Sequence, residues 1–138
     1  MDTKHLILEV MKKTDIAVIS TFGEVSPESA VVNFAETENF ELIFDTFLYS
    51  RKSRNIQKNP NVSFAIGWND KITIQYEGVV RKLEGDEVVT YKELFFRKCP
   101  YALRRVNEID LTYFIVKPRW IRYTDLNQHP WDVKELNF

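Results

Sequence analysis

The chain has 138 residues, 44% of them hydrophobic, with ten Phe, six Tyr and three Trp, and a formal net charge of −1. That apolar content supports a packed core and excludes a disordered chain, and the near-neutral balance lacks the basic excess of a general nucleic-acid binder. A lone Cys99 excludes a disulfide framework, and His5 and His129 stand at opposite ends without metal-ligand spacing, so no metal is expected.

In chain order, residues 3–13 predict an amphipathic helix. Leu6, Ile7, Val10 and Met11 share one face, and Asp2 or Thr3 caps it. No apolar window is long enough to span a bilayer, and the opening MDTKHLILEVMKK does not read as a secretory signal. The expected setting is therefore cytoplasmic, with no membrane contact. Residues 15–21 and 29–35 predict strands separated by a Phe22-Gly23-Glu24 turn. Residues 40–46 alternate with period two, Leu42 and Phe44 opposite Ile43 and Asp45.

A helix is predicted from Ser50 to Lys58, stopped by Asn59-Pro60. Strands follow at 62–68 and 72–83 around an Asn69-Asp70 turn, then a helix over 87–96 and a further turn at 100–105. Residues 111–116 and 120–123 complete the β content, and the polar tail from 124 to 138 is left unassigned. With no repeat or linker, residues 1–138 are read as one domain. Short connections favour antiparallel pairing, so the expected fold is a mainly β, six-stranded antiparallel barrel with inserted helices.

One element is oddly charged. The first turn of a helix carries partial positive charge and unpaired N–H groups, so acidic residues belong there. The helix beginning at Ser50 places Arg51, Lys52 and Arg54 at that end instead, at about 0.3–1 kcal/mol per exposed cation. A bound dianion reverses the sign of these effects, and Ser50 with the cations then forms a phosphate cradle. An ordinary basic surface helix with Ser50 as a plain cap fits the same residues. Asp15, Asp45 and Glu77 read as isolated, solvated carboxylates, Cys99 as a small core residue, and Arg97, Arg104 and Arg105 as a basic patch. Trp120 and Tyr123 read as core or interface residues.

The ordered pieces FDT (44–46), SRK (50–52), NPNVSFAIGW (59–68) and TIQYEG (73–78) extend the reading. Their order and spacing resemble the pyridoxamine 5′-phosphate oxidase-like family of FMN-binding split barrels. The resemblance implies that Ser50, Arg51 and Lys52 hold the FMN phosphate, with Thr46 near the phosphate or ribityl chain. It also implies that the strand around Val31, Val32 and Asn33 runs along the isoalloxazine ring and offers it backbone hydrogen bonds. Thr73 and Gln75, on one face of their strand, are candidates for the ring edge or an ordinary polar surface. Trp68 is either a flavin contact or a core aromatic beside a turn.

The oxidases carry an Arg and a Lys where, counting back from Ser50, this chain has Ala30 and Ala35, and their C-terminal Arg-His motif has no counterpart after Tyr123. The pattern is closer to the short general-stress-type members than to true pyridoxamine phosphate oxidases. The resemblance implies a homodimer with the flavin between subunits and an oxidoreductase acting on an unidentified small molecule. A non-catalytic flavin-binding stress protein, a deazaflavin-dependent reductase of the same fold, and a barrel without cofactor are the alternatives.

Overall fold

Alternation along the chain becomes a curled antiparallel sheet in the computed structural model, which describes residues 2–138. Helix α1 (Thr3–Lys12) is capped by Asp2, whose carboxylate accepts from the His5 N–H at 2.8 Å. Its buried Ile7 and Met11, four residues apart, face the barrel interior. The strands are β1 (Ile16–Phe22), β2 (Pro27–Asn33), a two-residue β3 (Ala35–Glu36), β4 (Leu42–Phe47), β5 (Asn61–Ile66), β6 (Ile72–Lys82), β7 (Leu111–Asp125) and β8 (Asp132–Asn137). Between them lie α2 (Arg51–Lys58), α3 (Glu87–Lys98) and a 3₁₀ helix at Pro100–Arg105.

The sheet order is β2-β1-β5-β6-β7-β4-β3, with β8 on the free flank of β7. All of these pairs are antiparallel, as the short connections predict. Curling brings β2 close to β4 without pairing them, which leaves the barrel split along one edge of β2. The expected strands are present, with the segments at 111–116 and 120–123 joined into one to make six, and β3 and β8 are added to them. The tail is thus ordered as a strand, Asp132–Asn137, against residues 120–125 of β7.

The interior is aromatic. Phe44 stacks on Phe114 at 5.3 Å and meets Phe64 edge-on at 6.1 Å, and Phe64 meets Tyr76 edge-on at 5.6 Å. Such pairs add roughly 0.5–1.5 kcal/mol each beyond the area they bury. The fully buried Tyr76 satisfies its hydroxyl by donating to the Phe40 carbonyl at 2.8 Å. A second apolar cluster forms where α3 and the 3₁₀ helix cover the outer face of β4 and β7, joining Ile43, Ile115 and Tyr113 to Phe95, Cys99 and Ala102. Strand β4 is therefore buried on both faces, with Leu42 and Phe44 toward the barrel and Ile43 toward the helical layer.

The segments read as 111–116 and 120–123 are one strand. Pro118 lacks an N–H and ordinarily interrupts a ladder; here it sits at a bulge, where Glu77 pairs with Trp120 but Gly78 with Pro118, leaving Arg119 as the extra residue. Gly78 is required opposite it, because a Cβ there would lie 2.5 Å from the Lys117 carbonyl oxygen.

Candidate functional site

Strand β4 delivers Asp45 and Thr46 to the end of the barrel, and a short turn carries the chain into α2. Ser50 is the N-cap: its backbone is extended, and its Oγ accepts from the Ser53 N–H at 3.2 Å. Thr46 Oγ1, on a buried residue, lies 2.9 Å from Ser50 Oγ and fixes that hydroxyl. The first amides of a helix have no intrahelical acceptor, and among the described residues those of Arg51 and Lys52 have no partner. The first turn contains no acidic residue.

Arg51 and Lys52 line a cavity of about 250 Å³ with Ile19, Thr21, Glu28, Ser29 and Ala30. It opens between α2 and the β1–β2 pair, beside the unpaired edge of β2. Burial pushes the Lys52 ammonium below the ordinary lysine range, and Asp45 only partly restores it. Asp45 is mainly committed elsewhere: Arg105 of the 3₁₀ helix donates Nε at 3.2 Å to Oδ2 and Nη2 at 3.1 Å to both carboxylate oxygens. Burial still raises the Asp45 carboxyl above the usual aspartate value, with Arg105 and then Lys52 opposing it. This corrects the reading of Asp45 as a solvated strand-end acid and of Arg105 as part of a free basic patch. Their separation of sixty residues gave no sequence signal.

The other predicted site residues divide into three groups. On β2, Val32 turns its side chain into the barrel core, while the Asn33 amide donates to Tyr101 Oη at 2.8 Å, and Tyr101 in turn donates to Asp15 Oδ2 at 2.7 Å. Thr73 and Gln75 share the outer face of β6, where Gln75 stands between Ala65 and Arg122. With β1 and β5 intervening, they lie about 14 Å from β2 across the sheet. Trp68 is half exposed and lines a separate hollow with Val10, Lys13, Ile16 and Ile72. That hollow adjoins the start of β1, whereas the Lys52 cavity adjoins its end. Within one chain, then, Thr46, Ser50, Arg51 and Lys52 come together, and Thr73, Gln75 and Trp68 do not join them.

Of the two alanines, Ala30 lines the Lys52 cavity and Ala35 does not; it is fully buried beneath α3. Cys99 is fully buried, its thiol donating to the Phe34 carbonyl at 3.5 Å. Sequence reasoning missed Glu28, which accepts from Arg51 Nη2 and, at 2.8 Å, from Asn55 Nδ2. Among the described residues, no helix is long and apolar enough to cross a membrane and no cluster of His, Cys, Asp and Glu could hold a metal ion.

A family model described as pyridoxamine 5′-phosphate oxidase matches residues 3–125. No curated protein matches the chain. Among solved structures, general stress protein 26 from Bacillus anthracis is 25% identical, with 100% of both chains covered and a TM-score of 0.79. A pyridoxamine 5′-phosphate oxidase-related, FMN-binding protein from Nostoc punctiforme is 11% identical, with 97% of this chain and 95% of that one covered, at a TM-score of 0.73. A heme-binding protein from Mycobacterium smegmatis is 14% identical at a TM-score of 0.80; 97% of this chain is covered, but it spans only 58% of that protein.

Proposed function

The chain belongs to the pyridoxamine 5′-phosphate oxidase family, and from that premise we propose that it binds FMN, with the phosphate at Ser50, Arg51 and Lys52, and serves as a flavoprotein oxidoreductase for a small molecule. The observation that carries this reading is the cavity in which a half-buried lysine, an arginine and a capped helix N-terminus converge without an acidic residue in the helix's first turn. A phosphate supplies acceptors for the Arg51 and Lys52 amides and adds counter-charge to an ammonium that burial destabilises and Asp45 only partly restores. The similar Nostoc protein, described as FMN-binding, points to the same cofactor.

Thr46 orients the Ser50 hydroxyl, and the split edge of β2 supports the proposed flavin strand. Residues 30–33 extend away from the cavity by about 10 Å; on that edge the outward backbone groups of Val31 and Asn33 are available to a ring, while those of Val32 pair with Ala17 of β1. Bound flavin supplies the hydride or electron chemistry, while the chain binds and orients it. The outer-face residues Thr73 and Gln75, with Trp68, reach such a ring from a second copy of the chain, so the proposed working unit is a cytoplasmic homodimer. Exposed Ile16 and Val31 beside that face support an apolar contact between copies.

The visible spectrum of purified protein with and without added FMN tests the cofactor. Absence of flavin absorbance together with no FMN binding at micromolar concentration would refute it. Arg51→Ala combined with Lys52→Ala removes two charge-assisted contacts, together about 3 kcal/mol, so FMN binding should weaken about a hundredfold while riboflavin affinity stays nearly constant. Equal losses for both ligands would show that these side chains do not hold the phosphate. Reduction of the bound flavin by NAD(P)H or a small donor tests turnover; a flavoprotein that no donor reduces is a binder alone.

A further inference from the structure

The phosphate cavity already contains an anion of the chain's own. Glu28, on β2, lines it together with Arg51, Lys52 and Ala30, and with Arg51 and Asn55 it also lines a neighbouring hollow against α2. It accepts from Arg51 Nη2 through Oε2 and from Asn55 Nδ2 at 2.8 Å through Oε1, while Asn55 also donates to Thr21 Oγ1 at 3.0 Å. The Glu28 side chain is 21% exposed. Gly23 makes room for it: a Cβ at that position would lie 2.5 Å from Glu28 Oε2. Glu28 is thus held at two points, by Asn55 and by an Arg51 side chain that is itself 74% exposed. Asn55, followed by Arg51, holds the carboxyl below the usual glutamate range.

A phosphate monoester carries about 1.5–2 negative charges at pH 7. To reach Arg51 it must displace Glu28 or share the guanidinium with it, and in either case it stands against a carboxylate. Ala30, two residues further along the same strand and lining the same cavity, offers no compensating cation. We propose that Glu28 is an internal competitor for the cofactor phosphate, occupying Arg51 in its absence and setting the affinity of the cradle for a doubly charged group. The proposal rests on the reading of this cavity as a phosphate site. It makes Glu28 a specificity-determining residue that penalises a terminal phosphate and leaves the rest of a flavin unaffected.

The test compares Glu28→Gln and Glu28→Ala with the parent, with circular dichroism and melting used to confirm that both variants fold. Three probes are used: FMN and riboflavin, titrated by quenching of flavin fluorescence, and inorganic phosphate, scored by the rise in Tm it produces. Both variants should bind FMN about tenfold or more tightly, with riboflavin affinity within about twofold of the parent. Inorganic phosphate should raise their Tm more than it raises that of the parent. Unchanged or weaker FMN binding in both variants, with the parent binding FMN, would overturn the role of Glu28 and leave the flavin reading standing. If no protein binds FMN or riboflavin, the flavin reading fails by itself. The phosphate arm then decides for Glu28: a larger Tm rise in the variants supports competition, and an equal rise overturns it.

Discussion

Replacing Arg105 by Ala leaves Asp45 buried and charged with Lys52 as its remaining nearby cation. The Asp45 side chain is 5% exposed and that of Arg105 32%. Removing one partner of a fully buried ion pair costs about 3–5 kcal/mol; because water reaches the outer part of this guanidinium, about 2–3 kcal/mol is the appropriate expectation. For a chain of this length that lowers Tm by roughly 6–12 °C. The sign of the pH dependence follows from Asp45. Its carboxyl in the folded chain already lies above the ordinary value, so its contribution is most favourable below the unfolded pKa and is lost as pH rises through the folded one. Without Arg105 that folded value moves higher still. The gap between parent and Arg105→Ala should therefore be large at pH 7.5 and narrow toward pH 5. Calorimetry or urea unfolding at both pH values measures it, with Asp45→Asn in the Arg105→Ala background as the rescue. Equal losses at the two pH values and no rescue would refute the reasoning.

Three further outcomes are expected. Ser50→Ala should destabilise the fold by about 1 kcal/mol through loss of the helix cap and weaken FMN more than riboflavin; a stability loss alone would confine Ser50 to capping. Gly78→Ala should cost about 1–3 kcal/mol in urea unfolding, because its Cβ meets backbone opposite the bulge rather than a side chain able to swing away; a neutral variant would show that the bulge is pliable. Cys99, with its thiol pushed up by burial, should react with a disulfide reagent only at the rate of unfolding. Fast labelling of the native chain would contradict that packing.

Local pattern made the strands and the capped helix legible, because period-two alternation and an N-cap serine are properties of neighbouring residues. Leu42 and Phe44 could be assigned to one face of β4 from spacing alone. The burial of the opposite face could not, since it depends on α3 and the 3₁₀ helix, which come more than forty residues later. Pro118 broke the apparent continuity of β7 because a proline between two apolar runs looks like a loop; only the pairing of Gly78 and Glu77 across from it shows a bulge. The tail was opaque for another reason. Its strand, DVKELN, has a weak apolar side and owes its order to the backbone of β7. At the candidate site, Ser50, Arg51 and Lys52 are contiguous and were visible. Glu28 and Arg105 reach the same region from 23 and 55 residues away from Arg51 and Ser50, respectively, and no spacing rule announces them.

The last strand also has a bearing on solubility. The first part of β7 is flanked by β4 and the second by β8; stripped of β8, residues 120–125 would present open N–H and C=O groups to any passing chain. With β8 in place, the outward margin becomes a six-residue segment bearing Asp132, Lys134 and Glu135, a short, charged border that discourages strand addition. Trimming the chain after Asp125 should thus promote concentration-dependent self-association beyond that of the parent, even where the barrel itself survives.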